Sequence, residues 1–153
     1  MGYESLLFEC YNEGINVKEK PLQANNGLCK GNKIAIKNTL STKEKYCTLS
    51  EELGHYKLTV GNITNLKDIN NMKQELKARR WGYNKTVNLE GIIEAFEHNC
   101  IHDYEIAEYL EVTTKYFREC IEDYKKLYGT TLCKIGKYHI TFEPKLGIYK
   151  SFY

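Results

Sequence analysis

The stretch Glu51-Glu52-Leu53-Gly54-His55 sets two metal-ligating side-chain types four residues apart. On a helix, residues i and i+4 lie one above the other, so Glu51 and His55 can clamp one cation. The pattern is H-E-x-x-H with the first imidazole replaced by a carboxylate, a donor that zinc also accepts. Glu52 stands beside the first donor, where H-E-x-x-H keeps its general base. Three protein ligands would leave a fourth position for water. Gly54 lacks a Cβ, so another backbone or a substrate can approach closely. The same residues also make an ordinary solvated helix face, and E-E-x-x-H alone is too short to separate the two readings.

The helix that must carry these residues has a clear start. Ser41-Thr42-Lys43-Glu44 is a capping box, and the helix is expected to run to about residue 58, with Gly61 and Asn62 ending it. At about 100° per residue, Tyr46, Leu49, Leu53 and Tyr56 fall within about 80° of one another and form the core stripe. Glu51 and His55 lie on a different face, and Glu52 projects between the two. The helix can therefore pack on one side and present the three polar residues on another.

The surrounding elements follow from the same kind of pattern. Apolar residues at 3, 6, 7, 10 and 11 predict a first helix stopped by Gly14. A short extended piece ends at Pro21. Gly31-Asn32 is turn chemistry, and Ile34 and Ile36 alternate with polar neighbours, so residues 27–38 predict a hairpin. A helix over 68–83 places Ile69, Met72, Leu76 and Tyr83 on one stripe. Three shorter helices are expected at 89–98, 103–110 and 114–128, the last closed by Gly129. The tail predicts one or two strands around turns at Gly136 and Pro144-Lys145. The fold class is α+β and mostly helical. A core over 1–88 (hairpin and two long helices) is followed by a helical tail and strands over 89–153, packed on the same domain.

Composition narrows the function classes. The 153 residues suffice for one domain with a real core. No stretch has the roughly 18 apolar residues of a membrane span. The first residues are acidic and lack the basic start of a signal peptide, so a cytoplasmic protein is expected. The six cysteines form no C-x-x-C, which argues against a cysteine zinc cluster and for thiols used as small core fillers. A net charge of +2 offers no global electrostatic case for nucleic acid.

The wider stretch from Gly27 to Thr64, followed by "NMKQELKARRWGY", resembles the ImmA/IrrE family of metallo-endopeptidases, above all the short versions carried by prophages and mobile elements. The hairpin, the "LST-x-E-K" helix start, "EELGHY", a downstream "QEL-x-A-R-R-W" helix and a helical tail like "YEIAEYLEVTTKYF" occur there in the same order. The resemblance implies a zincin-like active-site helix beside the hairpin. It implies His55 as a metal ligand, Glu52 as the catalytic base and Glu75 as the third ligand. It further implies cleavage of a specific repressor protein through a metal-activated water. Glu51 departs from the wider family, which has His. With Glu51, His55 and Glu75 the donors would balance a divalent charge, acidify water less than an imidazole-rich set, and admit Mn or Fe as well as Zn. Read without the resemblance, Glu75 is an i,i+4 ion-pair partner of Arg79.

Two further segments bear on partners. Residues 103–128 have a helix-turn-helix outline, yet Asp103, Glu105, Glu108 and Glu111 repel phosphate, which favours packing or protein docking over DNA. Lys73, Lys77, Arg79, Arg80 and Lys85 form the most basic segment, able to steer an acidic protein segment or simply to make a solvated face with Trp81 buried. Tyr56 and Tyr83 are candidate hydrogen-bond donors to a developing oxyanion. His98, His102 and His139 fall outside any ligand spacing. The competing readings are a non-catalytic repressor-binding module with a degenerate metal site, and a DNA-binding regulator using 103–128.

Overall fold

A computed structural model describes residues 1–59 and 68–152. The expected helix stops at Gly61 and Asn62 lie outside the described residues. The chain forms two compact units, Met1–Thr86 and Val87–Tyr153. The architecture is α+β and mostly helical, as the sequence predicts. No helix among the described residues is long and apolar enough to cross a membrane.

The first unit contains α1 (Tyr3–Asn12), β1 (Asn16–Lys20), β2 (Gly27–Lys30), β3 (Lys33–Lys37), α2 (Thr42–Thr59) and α3 (Asp68–Thr86). Its sheet has the order β1-β3-β2. The β2–β3 hairpin turns at Gly31, whose φ of +58° suits a residue without a Cβ. β1 pairs parallel to β3, with Asn16 beside Lys33 and Lys20 beside Lys37. Ile34 and Ile36 point from β3 into the core, 2% and 0% exposed, where α2 lies against β2 and β3.

The capping box forms as expected: the Glu44 amide donates to Ser41 Oγ and the Ser41 amide to Glu44 Oε2, each at 3.2 Å. On α2, Tyr46, Leu49 and Leu53 are buried and Tyr56 is half-buried. Ion pairs tie this unit together: Glu19 with Lys45 at 3.0 Å, Glu9 with Lys85 at 2.6 Å, and Glu13 with Lys57. The Lys45 ammonium and then the Tyr3 hydroxyl hold the Glu19 carboxyl below its usual range.

Helix α3 departs from the expected stripe. It continues to Thr86; the side chain of Ile69 lies outside those described, and of the rest Met72 is 73% exposed and Leu76 39%, whereas Ala78 and Tyr83 are buried. Trp81 is only partly buried. Periodicity states which residues share a face, and packing decides how much of that face is covered. The covered part is where α3 meets α2 at Gly54. A Cβ on residue 54 would stand 2.9 Å from the Ala78 carbonyl carbon and closer still to its oxygen. The backbone that Gly54 admits is therefore that of α3.

The second unit contains α4 (Leu89–Glu97), α5 (Asp103–Tyr109), α6 (Thr114–Tyr128), β4 (Cys133–Ile135), β5 (Tyr138–Thr141) and β6 (Gly147–Lys150). Asn88 caps α4 by accepting from the Gly91 amide at 2.6 Å, and Thr113 caps α6 by accepting from the Tyr116 amide at 3.1 Å. The core joins Ile92, Phe117, Cys120, Tyr124, Ile140 and Phe142. The tail makes three antiparallel strands, one more than its turn signals suggest. On α5 and α6, Asp103 engages Arg118 at 2.5 Å, so one basic residue of the second helix is spent on its neighbour. Of the cysteines, Cys10, Cys47 and Cys120 are buried as core fillers, and none of the six forms a disulfide among the described residues.

Candidate metal centre

Glu51 and His55 stand one turn apart on α2, and α3 brings Glu75 to them. His55 Nε2 lies 3.2 Å from Glu75 Oε2. One ligand atom from each of Glu51, His55 and Glu75 lies within 4.8 Å of the others. Donors held about 2.1 Å from one tetrahedral ion stand about 3.4 Å apart, close to the observed His55–Glu75 spacing. Two carboxylates and a neutral imidazole also balance a divalent charge. The donor set therefore fits a divalent cation. Without one, the same atoms meet as a polar contact between His55 and Glu75.

Arg79 does not pair with Glu75 as local helix spacing suggests. Its Nε lies 3.9 Å from Glu51 Oε1, across the two helices, and Glu75 turns to His55 instead. The longer reach is possible because Gly54 lets α3 lie close to α2 at Ala78, one residue from Arg79.

The three residues line a cavity of about 590 Å³. Its other walls are Glu52, Thr48 and residues 25–29, which run into β2. Gly27 matters here. A Cβ on it would meet Thr48 Cγ2 at 2.7 Å and Glu52 Cγ at 2.8 Å. A strand glycine often marks such a close approach, and that signal was present in the sequence without being used. β2 thus presses the Glu52 side chain between strand and helix. Burial, then the negative charges of Glu51 and Glu75, push its carboxyl up to about 7. Burial, then Glu52, raises the thiol of Cys29, another wall residue, to about 11.

Tyr56 and Tyr83 do not line this cavity. Tyr83 is 2% exposed and belongs to the core, because the C-terminal half of α3 is the part that packs. His98, His102 and His139 stand outside the group: His98 Nδ1 lies 2.8 Å from the Glu94 carbonyl, and the His102 amide donates to Glu105 at 3.1 Å.

The exchange at position 51 can be measured directly. Glu51→His should tighten zinc binding by at least on the order of tenfold, the scale on which even outer-sphere partners move metal affinity. Imidazole is the better zinc donor, and Arg79 beside it disfavours the protonated ring that cannot ligate. Glu51→Ala should lose zinc. Calorimetric zinc titration of the three metal-free proteins checks this; equal affinity of Glu51→Ala and the parent would remove Glu51 from the ligand set.

No curated protein matches the chain. The profile of one peptidase family, described as the IrrE N-terminal-like domain, matches residues 10–121, most of the chain, from α1 into α6. That span holds Glu51, Glu52, His55 and Glu75 together with the strand that walls their cavity. By this match and by the side chains it encloses, the chain belongs to the IrrE N-terminal-like family of peptidases.

Proposed function

We propose that this protein is a metal-dependent endopeptidase of a prophage or mobile element, acting in the cytoplasm on a specific repressor protein. The observation that carries the reading is the convergence of Glu51, His55 and Glu75 in one open cavity with Glu52 beside them, in a chain of this family. The likeness of "EELGHY" and "QELKARRW" to the short mobile-element versions supports the repressor as substrate.

Glu51, His55 and Glu75 would hold the cation, zinc in the first instance and Mn or Fe by the oxygen-rich donor set. When bound, it supplies Lewis acidity, making water a nucleophile at neutral pH and polarising a carbonyl. Glu52 supplies the base: its carboxylate takes the proton of the attacking water and returns it to the departing amide nitrogen. The strand at Gly27 lies close against that side chain. Among the described residues β2 is an edge strand, and the residues that lead into it wall the cavity, so an extended peptide can pair with that edge.

A second reading has one observation in its favour. Glu51 is already partly neutralised by Arg79, which suits a repressor-binding module with a weak metal site. One experiment separates the two. The protein is mixed with the product of a neighbouring repressor gene, with and without chelator. A discrete cleavage that chelator abolishes is the expected result. A stable complex with no cleavage in either condition would favour the module.

A further inference from the structure

The candidate metal centre uses one face of the β1-β3-β2 sheet, and the opposite face has a different chemistry. Alternation puts Lys18 and Lys20 of β1, Lys33 and Lys37 of β3, and Lys30 of β2 on that outer face, away from buried Ile34 and Ile36. The register sets Lys20 beside Lys37 and Lys30 beside Lys33. Like charges directly opposite one another on neighbouring strands are destabilising. Among the described residues none of the five lysines has a carboxylate partner. The one acid on these strands, Glu19, points to the other side, toward Tyr3 and Lys45.

The charge is also segregated along the chain. Residues 1–86 carry 14 Lys and Arg against nine Asp and Glu, whereas residues 87–153 carry eight against 11. A net charge of +2 hides this division.

Between the lysines lies a shallow hollow of about 280 Å³ with an apolar floor of Leu28 and Ala35, which share one cross-strand row with Lys18. Leu28 is 47% exposed. A nucleic-acid backbone offers nothing to fill an apolar hollow, and the face carries no aromatic ring for a base to stack on. An extended polypeptide meets both demands: it repeats its side chains every second residue, as the sheet does.

We propose that this sheet face docks an acidic protein segment in which carboxylates flank at least one apolar side chain. The carboxylates meet the lysine rows, and the apolar side chain enters the hollow over Leu28 and Ala35. The self-repulsion within the lysine rows is relieved when such a segment binds. Its lysines lie on the face opposite the metal centre, and Leu28 of the edge strand borders both hollows; its test needs neither metal nor cleavage.

Fluorescence anisotropy with a labelled synthetic peptide containing Glu-Ser-Leu-Ser-Glu, which puts Glu and Leu on one face of an extended chain, added to the full chain, tests the proposal. Binding is expected, falling as salt rises because exposed charges are screened. The pair Lys18→Glu, Lys33→Glu should weaken it by at least about tenfold, since two attractions become repulsions. Lys18→Gln, Lys33→Gln should weaken it less, and Lys115→Glu on α6 should leave it unchanged. A peptide with Ser for Leu should bind more weakly, and one with Gln for Glu hardly at all. Lys30→Glu, now opposite Lys33, should melt higher than the parent while binding the peptide less, an outcome that unfolding cannot produce. Equal binding by the Lys18→Glu, Lys33→Glu protein or by the Gln peptide would overturn the proposal. So would loss of binding confined to variants that melt below the parent. Tighter binding of random-sequence duplex DNA, abolished by the same lysine variants, would assign the face to nucleic acid and overturn it too.

Discussion

Glu52→Gln is expected to retain metal at the parent stoichiometry and to lose the proposed peptide cleavage by about 10²- to 10⁴-fold, the usual contribution of a positioned general base. Gln keeps the size of the side chain, which matters because β2 closes on it at Gly27. It replaces the basic oxygen by an amide group and removes the ionisation. The substitution has a second signature in metal-free protein. Burial, then Glu51 and Glu75, raise the Glu52 carboxyl from 4.5 to about 7. A raised folded value favours the protonated form, so this contribution to stability is present below the unfolded value and is lost as pH rises through the folded one. Metal-free parent should therefore lose thermal stability between about pH 4.5 and pH 7, and Glu52→Gln should lose less over that window. Thermal melts in chelator at pH 5 and pH 8 check the stability, and metal analysis with a cleavage assay checks the rest. Parent-like turnover would remove Glu52 as base, and loss of metal would make it a ligand.

His55→Ala should take the protein from about one divalent ion per chain to nearly none. His55 is the only nitrogen donor of the described group, and it sits between Glu51 on its own helix and Glu75 on the next. Losing a direct donor should cost at least the roughly 10- to 100-fold that outer-sphere changes cost. The loss is readable as a thermal shift. Zinc at about 100 times its dissociation constant should stabilise the parent by about 2.7 kcal/mol. The same zinc should leave the melting temperature of His55→Ala close to its metal-free value. Metal analysis of gently purified protein gives the independent count. Full occupancy in His55→Ala, Glu75→Ala would refute the site.

Much of the first unit can be read from local pattern. The capping box at Ser41 and Glu44, the buried stripe of Tyr46, Leu49 and Leu53, and the hairpin turn at Gly31 are each set by residues within a few positions of one another. What local pattern does not show has the opposite character. Met72 and Leu76 lie on an apolar stripe yet are exposed, because a stripe does not state where its covering partner ends. The parallel pairing of β1 with β3 leaves no mark on either strand. The lysines of the sheet's outer face look like scattered surface charges until the register sets Lys20 beside Lys37 and Lys30 beside Lys33.

The candidate site divides along the same line. The sequence by itself determined that Glu51 and His55 share a helix face with Glu52 beside it, because a 3.6-residue period fixes those directions within one turn. It also marked Gly54 as a place where close approach is possible. Only the tertiary structure decided what approaches. Gly54 admits the backbone of α3 at Ala78, which brings Glu75 within 3.2 Å of His55 and turns Arg79 to Glu51. Gly27 admits Glu52, whose burial follows from a strand and a helix 25 positions apart in sequence meeting at those two residues. The physical reason is range. Helix direction and turn chemistry act over a few bonds, whereas Glu75 meets His55 only when two helices pack at a distance that one missing methyl group permits.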